Sequence, residues 1–203
     1  MYRKIALFST TLTLIIFSIT SKSIANMGFA VGIQTGYGAS NPNTTNMHSN
    51  IKKGNYFYGG TVGVDLLVIP LVTIGAETGV FYGRGLSQIT DNSKGTITVS
   101  NLIIPILAKA QISIPLDLDI FIKAGTSYVK PSATYTNSSI TMNWKNNWNY
   151  TAATVIGYQI GYINIFAQYM RVFGNNDITI NGKNGTGSSA NIDSITAGAA
   201  FTF

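Results

Sequence analysis

The segment LIIPILAKAQISIPLDLDIFIKAG, Leu102 to Gly125, decides the fold. In its first half Leu102, Ile104, Ile106, Ala108 and Ala110 fall on one face, while Pro105, Lys109 and the preceding Asn101 fall on the other. Pro115-Leu116-Asp117 then supplies turn chemistry, because Pro presets φ and Asp tolerates the sharp reversal. The alternation resumes beyond it. Ile120, Ile122, Ala124 and Tyr128 face away from Asp119, Lys123 and Gly125. A period of two sends successive side chains to opposite sides of a sheet. The reading is an antiparallel hairpin with one apolar and one polar face.

Outward from this hairpin the same rhythm recurs. Eight segments carry it: Gly28–Tyr37, Tyr56–Val68, Val72–Tyr82, 96–112, Leu118–Tyr128, one ending at Ile160, Ile163–Phe173 and Ile192–Phe203. The connections 69–71, 114–117 and 161–162 are short; 38–55, 83–95, 129–149 and 174–191 are long and rich in Asn, Ser, Gly and Thr. A strand needs about 9–11 residues to cross a bilayer. Short turns on one side and long loops on the other mark an outer-membrane barrel. In hydrocarbon every backbone N–H and C=O needs a partner, so the sheet must close. The predicted fold is therefore all-β: an eight-stranded antiparallel transmembrane β-barrel with short periplasmic turns and long extracellular loops. A soluble eight-stranded carrier would keep its apolar side chains inside. Here the second face holds Gly, Thr, Gln and charges, which suit no dry core. Ile97 and Val99 have the opposite parity to the rest of their segment, which predicts a β-bulge near Asn101.

Composition agrees. Charged residues are 10% of the 203, with 21 Gly, 23 aromatics counted as Tyr 11, Phe 10 and Trp 2, and no Cys. An ordinary soluble domain carries about 25% charge. Disorder needs high charge with low hydrophobicity. Disulfide and thiolate-metal frameworks need Cys. A helical membrane protein needs apolar runs of about 20 residues, and none follows residue 20. Residues 1–25 read as a secretory signal peptide: Arg3 and Lys4, an apolar stretch from Ile5 to Ile19, and small residues at Ser23 and Ala25. The barrel domain is then 26–203. Loss of Arg3, Lys4 and Lys22 lowers the net charge from +6 to +3, so the basicity is no nucleic-acid footprint.

The few charges inside strands define a lumen. Asp65, Glu77, Lys109, Asp119 and Lys123 all lie on the face opposite the apolar one. Folding the hairpin about 114–117 brings Lys109 and Lys123 to similar heights, with Glu77 on the next strand to neutralise them. The expectation is a polar plug that satisfies its own groups, the other reading being a narrow gated pore. Tyr37, Tyr58, Tyr82, Tyr128 and Tyr150 would form an outer aromatic girdle, and Phe29, Tyr162, Phe201 and Phe203 a periplasmic one. Alternation also runs unbroken from Ile140 to Ile160. It predicts a long strand pairing with Lys130–Tyr135 as a projecting ribbon, whose exposed edge could accept a partner strand. Trp144, Lys145 and Trp148 are its candidate contact residues, the other reading being that both Trp simply sit at or above the lipid headgroups. Lys52, Lys53, Arg84, Lys94, Arg171 and Lys183 fall on the same outer side, where lipopolysaccharide phosphates would attract them.

Two stretches carry a family resemblance. Asn101 to Lys109, followed by Phe121-Ile122-Lys123-Ala124-Gly125, resembles the central hairpin of the small outer-membrane β-barrels, the opacity-type surface antigens and OmpA/OmpX-like proteins. Ala199-Ala200-Phe201-Thr202-Phe203 resembles their terminal strand, and this likeness implies that Phe201 and Phe203 signal to the barrel assembly machinery. It also implies a Gram-negative outer membrane as the location, with loops at the cell surface. The implied role is structural in the envelope with adhesion or host contact; the alternative is a narrow pore for small or hydrophobic solutes. Expected partners are outer-membrane lipid and lipopolysaccharide, the assembly machinery and a host or matrix protein, with no nucleic acid and a monomeric state. Two lipid A-modifying enzymes share this architecture and use a His. The one His here, His48 beside Ser49, has no acid near it in sequence, so no enzyme, cofactor or metal is expected.

Overall fold

The computed structural model describes residues 28–41, 50–69, 72–91, 95–114, 116–135, 142–144, 147–174, 178–180, 183–184 and 191–203. Residues 1–25, read from the sequence as a signal peptide, lie outside them. Eight strands form the wall: β1 (Gly28–Asn41), β3 (Asn55–Ile69), β4 (Val72–Asp91), β5 (Gly95–Ile114), β6 (Leu118–Tyr135), β8 (Asn147–Ile160), β9 (Ile163–Phe173) and β12 (Asn191–Thr202). Four short strands accompany them, β2 (Asn50–Lys53), β7 (Met142–Trp144), β10 (Ile178–Ile180) and β11 (Lys183–Asn184). Each wall strand pairs antiparallel with its neighbours along the chain, and β1 pairs with β12. The sheet therefore closes and keeps no open edge in its wall. At the seam Phe29 N–H donates to the Phe203 carbonyl and Phe203 N–H to that of Phe29, both at 2.9 Å.

The two faces are inverted relative to a soluble barrel. Ile33, Ile122 and Ile195 are 72%, 60% and 66% exposed on the outside. Lys109, Lys123, Asp119 and Gln168 are buried inside. Tyr150 and Tyr158 bracket the outer face of β8 eight residues apart. At ~3.3 Å per residue and a tilt of ~40° that is roughly 20 Å of height, close to the apolar band of about 25 Å in such barrels. Aromatic side chains mark both borders. Tyr58 packs on Tyr82 at 5.8 Å and Tyr128 on Trp148 at 5.7 Å. At the short-turn end Phe29 stacks on Phe203 and Phe201 lies against Tyr162.

Three differences from the sequence expectation concern the outer end. Residues 83–91, read as loop, continue β4, and β5 pairs with them from Ser87↔Val99 to Asp91↔Gly95. Next, β5 carries no bulge near Asn101: its pairing with β6 is continuous from Ile97↔Tyr135 to Ile114↔Leu118. The irregularity sits across from it in β4, between Gly83 and Ser87, where Gly85 takes φ +57°. A side-chain-bearing residue resists that conformation, and glycine does not. The bulge turns Leu86 fully inward. Finally, the long ribbon over 140–160 does not form. β8 starts at Asn147, the outer part of β6 pairs with β5, and β7 pairs with β10 in a separate small sheet. The projecting element is thus built from β2, β4, β5 and β6.

Candidate functional site

The lumen is layered. Nearest the short turns lies Asp119, buried, whose carboxylate accepts from Ser113 Oγ at 2.7 Å and from Asn164 Nδ2 at 2.8 Å. Asn164 also donates to Gln159 Oε1 at 3.1 Å. Both donors to Asp119 are neutral.

Above it is a charged belt. Lys109 and Lys123 are direct cross-strand partners. Each has its own carboxylate. Lys123 Nζ donates to both Glu77 oxygens at 2.7 and 2.8 Å and to Gln168 Oε1 at 3.0 Å. Lys109 Nζ lies 2.5 Å from Asp65. The expected network of Glu77 with both lysines is thus divided into two pairs, and Asp65 takes Lys109. Register explains this: Asp65 pairs with Gly75, and Gly75 with Lys109. Glycine leaves the gap open, since a Cβ there would come within 3.0 Å of the Asp65 carboxylate. Lys109 also sits 5.7 Å from the Phe121 ring centroid. Burying such charges is unfavourable unless each is matched, and both ammonium groups are matched.

The outer half of the lumen holds an apolar cluster beside buried polar residues such as Asn101, Asn149 and Ser194, and the sequence reading did not anticipate that cluster. Ser127 and Thr151 share a 2.6 Å hydrogen bond, and Thr196 donates to Gln34 Oε1 at 2.6 Å. Beyond them Phe57, Phe81, Ile103, Val129, Met170, Val172 and Ile192 form one cluster, none more than 2% exposed. Phe57 and Phe81 stack at 5.5 Å. Gly59 makes room, because a Cβ there would strike the Phe81 side chain. The expected polar plug is therefore corrected to a polar base and an apolar stopper. The signal lay in inward-parity Phe57, Phe81 and Met170, and in the parity of Ile97 and Val99, both buried.

Within the polar base, from the short turns up to the charged belt, lies a cavity of about 460 Å³. All five lumen residues singled out from the sequence line it: Asp65, Glu77, Lys109, Asp119 and Lys123. Phe121, Val155 and Phe166 form an apolar patch on one wall.

The other candidate residues scatter. Trp148 is on the outer wall, 61% exposed and against Tyr128, so it belongs to the girdle and not to a projecting ribbon. Trp144 pairs with Ile178 in the small sheet. Lys145, His48 and Ser49 lie outside the described residues. Phe201 and Phe203 sit exposed beside the closing seam. On the outer wall Tyr169 O–H donates to Asp193 at 2.6 Å, and Arg171 lies 3.7 Å from the same carboxylate. Among the described residues no group of three His, Cys, Asp or Glu is arranged to hold a metal.

No protein-family model matches the chain, and no curated protein does. Solved structures do. The outer membrane protein OprG from Pseudomonas aeruginosa superposes with a TM-score of 0.57 at 10% identity, over 86% of this chain and 95% of that one. A major outer membrane protein from Thermus thermophilus gives 0.53 at 13%, over 88% and 100%. Ail, the attachment invasion locus protein of Yersinia pestis, gives 0.52 at 8%, over 87% and 99%. At such identities the likeness is one of architecture: this chain has the closed eight-stranded fold of the small outer-membrane β-barrels.

Proposed function

We propose that the protein is a non-catalytic outer-membrane surface protein that carries a contact sheet outside the cell and contributes to envelope integrity. One observation carries this reading: the lumen is closed by the apolar stopper while β4, β5 and β6 continue past the outer girdle. A stopper of packed aromatic and aliphatic side chains excludes water and ions, which argues against the narrow-pore alternative. Extra strand length beyond the apolar band serves no membrane crossing. Fold alone does not assign a role.

Contact is made through the faces of the projecting sheet rather than through its edge. The outer part of β6 pairs only with β5 among the described residues. That edge carries Lys130 and Pro131, and charged side chains and proline both discourage strand addition. The partners follow as part of the same proposal: outer-leaflet lipid and lipopolysaccharide around the wall, the assembly machinery at Phe201 and Phe203, and a host or matrix protein on the sheet.

The test replaces residues 88–98 with an Asn-Gly turn and compares cells displaying either protein. Adhesion to matrix-coated or host-cell surfaces is expected to fall at least fivefold at equal surface amounts. Equal adhesion overturns the contact role of the sheet.

A further inference from the structure

We propose that the lumen cavity is a binding pocket for a small organic cation with an apolar body, admitted from the short-turn side. Three observations carry this independently of what the outer sheet does.

The first is shape. At about 460 Å³ the cavity is within the range of roughly 300–1,000 Å³ found for small-molecule sites. Its inner end is lined by the belt residues Glu77, Lys109 and Lys123, and the apolar stopper lies further out. An occupant exchanges only through the mouth framed by the turn residue Asp117.

The second is charge. Four carboxylates line the cavity, Asp65, Glu77, Asp117 and Asp119, against two ammonium groups, Lys109 and Lys123. Both lysines are already engaged, by Asp65 and Glu77. Asp117 and Asp119 are left over, Asp117 exposed at the turn and Asp119 inside the barrel. Asp119 is buried, its contacts come from the neutral Ser113 and Asn164, and no cation among the described residues is within ion-pair distance. A buried carboxylate held only by neutral donors attracts a mobile cation, and low local dielectric strengthens that attraction.

The third is the apolar patch. Phe121 follows Asp119 by two residues on β6, on the same face, so it lies about 7 Å further in. Its cross-strand partner is Val155, and Phe166 completes the cluster. A ligand whose ammonium group meets Asp119 therefore lays its body on Phe121, Val155 and Phe166. A bare metal ion would leave that patch unused. An anion would meet the surplus carboxylates.

The experiment uses the refolded chain in lipid nanodiscs, titrated with 2-phenylethylammonium, its neutral isostere 2-phenylethanol, and 3-phenylpropionate. Calorimetry reports affinity, and amide chemical shifts report location. The expected result is saturable binding of the amine alone, with shifts at residues 119–121 and 164–166. Asp119→Asn should weaken it at least tenfold. Ala200→Phe, which fills the cavity from the β12 wall, should abolish it and stands in if Asp119→Asn fails to refold. Absence of saturable binding overturns the proposal. So does equal binding of the alcohol, or affinity unchanged in both variants.

Discussion

At the residue scale, the lumen shows how few groups set the interior of a narrow barrel. Glu77 and Lys123 form a buried pair with Gln168 as a third contact. Removing one partner of a buried pair leaves an uncompensated charge, which costs about 3–5 kcal/mol, whereas replacing both with apolar residues is close to neutral. Glu77→Ala is therefore expected to destabilise by about 3 kcal/mol. Glu77→Leu combined with Lys123→Met should recover most of that loss. Urea unfolding in lipid vesicles measures both; a double variant as unstable as the single one would show that the pair is not an isolated unit. These lumen charges were legible from the sequence, because a charged residue inside an alternating apolar strand has only one side to go to. Their pairing was not. Asp65 reaches Lys109 through the opening at Gly75, and that register depends on a one-residue shift in β3 between Asp65 and Leu67, which no local pattern encodes.

At the scale of elements, strand existence was readable and strand length was not. All eight segments are strands, since a period of two combined with a membrane's demand for closure leaves little alternative. Beyond the girdle the pattern loses its meaning. There both sides of a strand can meet water, or the inside can turn apolar, so alternation no longer reports lipid. Ile97 and Val99 illustrate this: they keep the inward parity of Lys109, and the side chains they join have become apolar. The β4 bulge with Gly85 and Leu86 supplies the rest of the change. Conversely, the alternation from Ile140 to Ile160 looked like one strand, yet it is divided between β7 and β8. A consequence concerns modularity. The tip pairs Gln88↔Thr98 to Asp91↔Gly95 lie outside the barrel wall. Replacing 88–98 by an Asn-Gly turn, which suits a two-residue hairpin, retains Leu86 and Val99 but removes the buried Ile97, and should lower barrel stability by about 2 kcal/mol. A loss several times larger, read from the same urea unfolding, would make the tip part of the folding unit.

At the scale of the whole molecule, the barrel has two candidate barriers in series, the charged belt and the apolar stopper, and they predict different behaviour. A belt of two ion pairs could reorganise to pass ions, because its members have polar neighbours to exchange with. The stopper's own side chains are apolar and carry no group that could coordinate an ion. Its side chains are packed against each other, and opening a path through it means unpacking Phe57 and Phe81. Wild-type protein in planar bilayers should therefore give no stable conductance steps. Neutralising the belt, with Asp65→Asn, Glu77→Gln, Lys109→Gln and Lys123→Gln together, should leave the bilayer silent. Phe57→Ala with Phe81→Ala should produce openings, at a stability cost of about 3–5 kcal/mol for each truncated ring. Steps from the wild type would dismiss the closed-barrel reading. Steps from the belt variant alone would move the barrier down a layer, to the charges that the alternating hairpin from Leu102 to Gly125 first brought into view.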